Sequence, residues 1–303
     1  MHVPVMRSEV VELLAPGRGG VFVDCTVGLG GHARAIVEAG ATRLVGVDRD
    51  TEALVGARAA LSQWAGAVEL VHGDYRALPA LLDARGLAEV DGIVADLGVS
   101  SLQLDTDGRG FSFQRDEPLD MRFDRSAGET AAEYLAEVDE SELADVIYRF
   151  GEERRSRRVA RAIVAARAVG PIRSTGELAA IVRRVVPRDR RSRIDAATRT
   201  FQALRIRVNG ELDGLDAFLR AAVGRLRVGG RIVVIAFHSL EDRVVKHTLR
   251  GLAREEMVVA DLTKKPRRPT DDEVAANPRA RSAKLRAAER VAVPGVAGGR
   301  GGR

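Results

Sequence analysis

The 303-residue chain holds a single cysteine, Cys25, so no internal disulfide can staple it. Neither a cysteine pair nor a His/Cys cluster occurs at the spacing of a zinc site, and no metal is expected. Long apolar runs are missing too. Nothing approaches the roughly 18 uninterrupted residues of a membrane span, and the opening MHVPVMRSEVVELLAP breaks each apolar stretch with a charge. The expectation is therefore a protein without signal peptide, membrane span or membrane partner, in a reducing, cytoplasmic compartment. No internal repeat is evident. What is present is a hydrophobic fraction of 45%, enough to bury one large core, or a nucleotide-binding domain carrying a smaller second one.

The net charge of +5 hides an uneven distribution. Residues 151–205 contain 15 Arg against 5 acidic residues, and residues 264–303 contain 11 basic against 4 acidic residues. Those blocks carry +10 and +7, which leaves −12 on the rest of the chain. An acidic body with basic attachments suits a polyanionic partner, because clustered Lys and Arg displace counterions from a phosphate backbone. A solvated helix face in an Arg-rich protein is the plainer alternative.

The first hundred residues alternate short β-branched runs with amphipathic stretches, the pattern of a parallel sheet with crossover helices. Strands are predicted at Val21–Val27, Leu44–Asp48, Val68–Val71 and Gly92–Asp96. From about Leu104 the alternation gives way to a charged stretch with capping-box patterns at Thr130/Glu133 and Ser174/Glu177, which reads as an inserted block of helices and loops. The parallel pattern resumes with a helix at Ala217–Leu226, a Gly229-Gly230 turn and a strand at Arg231–Phe237. A helix from Leu240 to about Ala253 and strands at Met257–Leu262 and Ala287–Val293 would complete the sheet. The segment 264–284 reads as loop, and the closing GVAGGRGGR as disordered.

Strand one runs into VFVDCTVGLGGHA, placing Gly28, Gly30 and Gly31 where a strand hands over to a helix, the edge at which open α/β sheets bind ligands. Asp48 follows Gly28 by 20 residues at the end of strand two. A carboxylate there can accept from both ribose hydroxyls, or it can cap the next helix, for which Asp50 and Thr51 stand better. The same Gly28-x-Gly30-x-x-Ala33 spacing admits an NAD-linked dehydrogenase. Against that reading stand Asp24, four residues before the first glycine and suited to orienting the methionine part of a methyl donor, and HGDY, which puts Asp74 or Tyr75 beside an adenine. Asp96 adds to them in ADLGVSS, at the edge where amino-group methyltransferases meet the acceptor amine. A non-catalytic RNA-binding scaffold would need none of these residues.

Taken in order, DCTVGLGGH, VGVDRD, IVADLGVSSLQLD, RGFSF with PLDMR, RFGEER, TFQALRIRVNGEL, AFHSLEDR and NPRARSAKLRAAER closely resemble the RsmH/MraW family of bacterial 16S ribosomal RNA cytosine-N4 methyltransferases. The resemblance runs from His2-Val3-Pro4-Val5 to about Arg290. It implies an α/β fold in which a class I (Rossmann-like) S-adenosylmethionine methyltransferase sheet is interrupted by a helical substrate-recognition domain. The corresponding bounds are 1–104 and 213–294 for the sheet domain, 105–212 for the insertion and 295–303 for a disordered tail. It also implies S-adenosylmethionine as methyl donor and 16S rRNA, within the small ribosomal subunit, as partner. The implied acceptor is the N4 amine of a cytidine in the decoding region, at position 1402. Carried over one at a time, the implied cofactor residues are Gly30, Gly31 and His32 in the glycine turn, Asp48 at the ribose and Tyr75 beside the adenine. Asp96 and Gln103 complete the set, and Gln103 rests on the resemblance alone. Tyr75 stands where some members carry Phe, which keeps the stacking face.

Asp96 is also the candidate catalytic residue, since an exocyclic amine needs no covalent nucleophile, only acceptors for its hydrogens, with backbone carbonyls and Ser100 or Ser101 as helpers. Methylation at cytosine C5 would need a thiolate, and Cys25 reads as a small core residue. Amino-methyltransferases of DNA and other substrates follow this Asp with Pro-Pro and a stacking aromatic, whereas Leu97, Gly98 and Val99 follow it here. Phe111, Phe113 and Phe237 are the stacking candidates, each equally readable as core. His238 and Asn209 are candidates to face the base; for His238 a helix start beside a Ser239/Asp242 capping pattern is as good a reading. In RFGEERRSRRVARAIVAAR, Val159, Ile163 and Ala166 share one helix face and Arg154, Arg158 and Arg161 another, as in a phosphate-tracking helix or a salt-bridged one.

Overall fold

The computed structural model describes residues 4–187 and 195–292. His2, Val3 and the 295–303 tail lie outside them, as do seven residues of the first basic block. The chain forms two compact units, residues 1–98 with 214–303, and residues 99–213.

The first unit opens with α1 (Arg7–Leu14), β1 (Val21–Asp24), α2 (Gly31–Glu38), β2 (Arg43–Asp48), α3 (Thr51–Ala60), β3 (Val68–His72), α4 (Leu78–Asp83) and β4 (Val90–Asp96). The second unit contains α5 (Ser101–Asp105), α6 (Ala131–Glu137), α7 (Glu140–Gly151), α8 (Ser156–Arg167), α9 (Thr175–Val185) and α10 (Thr198–Asn209). The first unit then resumes with α11 (Leu215–Gly224), β5 (Leu226–Ala236), α12 (Ser239–Arg254), β6 (Val259–Asp261), α13 (Asp271–Ala276) and β7 (Lys284–Arg290).

Its seven strands lie in the order β3-β2-β1-β4-β5-β7-β6. All neighbours pair in parallel except β7, which runs antiparallel to β5 and β6. This is the class I methyltransferase arrangement, and the strand order reverses between β1 and β4, which opens a crevice at their carboxyl ends. Alternation along the strands sends Phe22, Leu44, Val94 and Val233 into a core shared with Val10, Ile36 and Leu54 of α1, α2 and α3. On β5, α11 packs beside α4 and α12.

The second unit has its own core, in which Leu143 and Ile147 of α7, Val159 and Ile163 of α8, Leu178 and Val182 of α9 and Phe201 and Leu204 of α10 are buried together. The 3.6-residue spacing of those pairs explains why this stretch is helical. Its two expected capping boxes are present, at Thr130/Glu133 and Ser174/Glu177.

Three sequence expectations need correction. Strand one stops at Asp24, not Val27, although Cys25 and Val27 still donate their N–H groups to Val94 and Val47. Gly229-Gly230 is not a turn before the strand. β5 begins at Leu226, and the register shift between Val90↔Leu226 and Gly92↔Arg231 shows that residues 227–230 form a bulge, with Gly229 at φ 80°. The segment 264–284 is not all loop, because Thr270 caps α13 and Asn277 caps a short 3-10 turn at Pro278–Ser282. Among the described residues no helix is long and apolar enough to cross a membrane.

Candidate active site

The turn after β1 is built around two left-handed residues. Gly28 has φ 52° and Gly30 φ 83°, and a Cβ on Gly30 would lie 2.9 Å from the Leu61 side chain. Asp48 fixes this turn from the neighbouring strand, one carboxylate oxygen accepting from Gly28 N–H at 2.7 Å and the other from Asp50 N–H at 2.9 Å. It does not cap α3. Asp50 does that, accepting from Glu52 and Ala53. Burial pushes the Asp48 pKa up against the lowering effect of those backbone donors.

Gly31 opens α2 and carries His32 into the interior, where the residue is 4% exposed. His32 Nε2 lies 3.5 Å from Asp96 Oδ2 at the end of β4, a distance of charge pairing rather than of a formed hydrogen bond. Burial alone would depress the imidazolium, yet Asp96, joined by Asp24, outweighs it and the His32 pKa is raised. Asp24 is fully buried, and one of its oxygens accepts from Thr26 N–H at 3.2 Å. Burial, with Asp96 and Asp48 adding repulsion and His32 opposing them, pushes its pKa up to about 7. Asp24 Oδ2, Asp96 Oδ1 and both His32 ring nitrogens are buried without a hydrogen-bond partner among the described residues. Buried polar atoms are almost always satisfied, so four orphans within one turn of chain and two strand ends mark a place prepared for a ligand.

Two residues that the sequence reading missed complete the frame. Thr26 Oγ1 accepts the Asp96 N–H at 2.7 Å and so ties the end of β4 to the turn after β1. The only sequence signal is a hydroxyl residue two positions after Asp24. Glu241, 1% exposed, accepts from Phe237 N–H at 2.9 Å and from His238 N–H at 3.3 Å. Helix α12 is therefore capped by His238 with Glu241, one residue earlier than the expected Ser239/Asp242 box. Asp242 instead pairs with Arg286 at 2.7 Å and Lys284 at 3.2 Å.

The remaining candidates sort by what they touch. Tyr75 is half-buried after β3, its ring 4.6 Å from that of Phe218 in α11. Asp74 caps the turn that begins at Tyr75 and pairs with Arg76 and, at 3.6 Å, with Arg49. Cys25 is buried, and burial pushes its thiol well above the usual range, away from thiolate. Phe237 is partly buried against the sheet-unit core.

In the helical unit, Gln103 forms the capping box of α5 with Ser100, its side-chain oxygen accepting from Ser100 N–H at 3.0 Å. Phe111 stacks on Phe123 and Phe113 meets Phe201 edge-on, so both serve the core of that unit. Asn209 is a structural residue rather than an exposed recognition group. It is buried, and its side chain bonds to Phe123, Met121 and Arg205. The stretch expected as one helix is broken after Gly151, where Glu152 is left-handed, so Arg154 lies in the turn before α8. On α8, Val159 and Ile163 are buried while Arg158 and Arg161 are exposed, as Arg154 is before it, and among the described residues only Arg161 of these three arginines has an acid near it, Glu140 at 3.5 Å.

A family model described as the MraW methylase family matches residues 1–291. The chain belongs to that family. A ribosomal RNA small subunit methyltransferase H from Sorangium cellulosum is 53% identical over 290 residues, covering 96% of this chain and 91% of its own. One from Nitrobacter winogradskyi is 54% identical with the same coverages. Among solved structures, an rRNA methylase from Streptococcus thermophilus covers 94% of each chain at 11% identity and a TM-score of 0.42, too distant to inform individual residues. Family and sheet together make the chain a methyltransferase with S-adenosylmethionine as its methyl donor.

Proposed function

We propose that the chain methylates the exocyclic N4 amine of a cytidine in the decoding region of 16S ribosomal RNA, at position 1402. The observation that carries this reading is the orphaned, buried Asp96 Oδ1 at the end of β4, a free acceptor in a chain of the MraW methylase family. S-adenosylmethionine supplies an electrophilic methyl on a cationic sulfonium. The residues present fit such a group: the carboxyls of Asp24, Asp48 and Asp96 surround the turn, and Asp24 keeps an unsatisfied oxygen for an ammonium, whose charge would favour its ionised form. Gly30, Gly31 and His32 would lie along the methionine part, Asp48 would take the ribose hydroxyls with its remaining lone pairs, and Tyr75 would lie against the adenine. Gln103 is assigned to the cofactor by family resemblance alone.

Asp96 accepts an amine hydrogen, orients the nitrogen lone pair for in-line attack and receives the proton released afterwards. His32 steadies its other oxygen. Cys25, held as a buried thiol, offers no nucleophile for attack at C6, so methylation at C5 is disfavoured. The helical unit is assigned to substrate recognition, with the exposed arginines of α8 tracking phosphates.

The decisive test is transfer of labelled methyl from S-adenosylmethionine to small ribosomal subunits of a strain lacking the enzyme, with the nucleoside identified by mass spectrometry. N4-methylated cytidine is the expected product. Label at another atom, or none with cofactor binding intact, would send the assignment to a different acceptor.

Asp24 gives a second test, through pH. Its folded pKa, about 7, lies above the ordinary value of 3.8. Its contribution is therefore most favourable below pH ~4 and is lost as pH rises through about 7, because between those values the folded chain must keep a proton that the unfolded chain releases, at roughly 1.4 kcal/mol for each pH step. Asp24→Asn should leave the cofactor-free protein more stable than the parent at pH 8 but not at pH 4, while weakening cofactor binding about tenfold or more. A melting-temperature difference that stays flat between pH 4 and 8 would remove the buried-carboxylate argument.

A further inference from the structure

We propose that a groove along the edge of the sheet unit, between α12 and the β6–β7 pair, binds phosphate groups of the RNA substrate. This rests on the RNA reading above. Lys246 and Arg250 line it from α12, Lys264 and Thr263 from the chain just after β6, Arg286 from β7, and Asp261 is the one acid among the lining residues. The fold thus gathers cations that are far apart in sequence.

Their pairing separates a binding surface from an ordinary solvated face. Arg286, 8% exposed, is neutralised by Asp242, which also takes Lys284. The side chains of Lys246, Arg250 and Lys264 have no hydrogen bond or ion pair among the described residues, so Asp261 leaves the groove with an excess of positive charge. Lys246 and Arg250 stand four apart on one helix face, a like-charge spacing that costs a helix a few tenths of a kcal/mol. Elsewhere the same spacing joins opposite charges, as in Arg34 with Glu38 at 2.7 Å.

The strip that supplies Lys264 is anchored. Arg267 exchanges backbone hydrogen bonds with Leu285 of β7 at 2.9 and 3.0 Å, and its guanidinium grips Glu12 at 2.7 and 2.9 Å. Thr263 Oγ1 accepts from Ala287 N–H at 2.9 Å. Lys264, Lys265 and Arg268 are all exposed on this pinned segment, and their side chains have no partner among the described residues. Unpaired cations on a fixed frame lose little freedom on meeting a polyanion and release its counterions, which is the main source of affinity for a phosphate backbone.

The test is the triple variant Lys246→Gln, Arg250→Gln and Lys264→Gln in the full chain, assayed for methyl transfer to small subunits across a potassium chloride series. Its KM for the RNA should rise about tenfold near physiological salt. The slope of log affinity against log salt should become shallower by about 2 to 3, since each lost phosphate contact removes roughly 0.7 to 0.9. Saturated turnover, cofactor affinity by calorimetry and thermal melting should not change. A double variant at Arg18 and Arg58, which are exposed and do not line the groove, should move neither KM nor slope. An unchanged slope in the triple variant, with the parent active, overturns the groove alone, and so does an equal effect from the Arg18 and Arg58 control. An inactive parent overturns the RNA reading and the groove with it.

Discussion

Replacing Asp96 by Asn should lower turnover about 100- to 10,000-fold while leaving S-adenosylmethionine binding within a few-fold of the parent. The two side chains have the same shape, and the contact that fixes the end of β4 is made by the Asp96 backbone N–H to Thr26, which the change does not touch. What is lost is an acceptor. An Asn offers one carbonyl oxygen where the carboxylate has two, and its NH2 would face either His32 or the incoming amine with a donor. Loss of the carboxylate also removes the main group that holds the His32 pKa up against burial, so the imidazole should become neutral. Asp96→Ala, which removes both oxygens, should be at least as inactive. Calorimetry decides between the two roles open to this residue. Loss of cofactor binding in both variants would make Asp96 a cofactor ligand, and the acceptor of the amine hydrogen would have to be sought among the neighbouring backbone carbonyls.

The second large effect is expected from Asn209→Ala, and it is one of stability. Asn209 Oδ1 accepts from Phe123 N–H at 2.7 Å, and Nδ2 donates to the carbonyls of Met121 at 2.7 Å and Arg205 at 3.0 Å. Met121 is held at φ 65°, a left-handed conformation unfavourable for a side-chain-bearing residue. The buried Arg109 closes the same knot, donating to the carbonyls of Arg122 and Phe123. Truncation removes three hydrogen bonds and leaves buried backbone groups unsatisfied, a loss on the order of 3 to 5 kcal/mol. Urea unfolding of the full chain should show the transition of the helical unit displaced to lower denaturant. Asn209→Asp, which keeps the acceptor for Phe123 and loses both donors, should fall between parent and Ala. A shift below about 1 kcal/mol for the Ala variant would mean that the loop is held by other contacts.

The strands that close on Asp48 and Asp96 were the most legible part of the chain. Their short, nearly continuous apolar runs, buried on both faces, admit few readings other than parallel strands, and Gly30 is demanded by a backbone angle that other residues avoid. The end of β1 was less legible, because Cys25 and Val27 go on donating to the neighbouring strands after Asp24. The bulge at residues 227–230 was not legible, because paired glycines mark a bulge and a turn alike until the partner strand is known. The cap of α12 was misplaced by one residue because Ser239 and Asp242 satisfy the same local pattern as His238 and Glu241. Choosing between them depends on which carboxylate has a better partner elsewhere, and Asp242 has Arg286 and Lys284.

The sequence by itself determined the α/β class, the glycine turn, the family and the carboxylates proposed to carry the chemistry, since these depend on local periodicity, backbone angles and the identity of a few side chains. Tertiary structure alone decided which polar groups remain unsatisfied. It left Asp24, His32 and Asp96 in want of a ligand, committed Asn209 to holding a loop, and brought Lys246 and Arg250 to the same groove as Lys264. The physical reason is that burial, pairing and charge excess are properties of neighbours in space, and a linear pattern does not specify those neighbours.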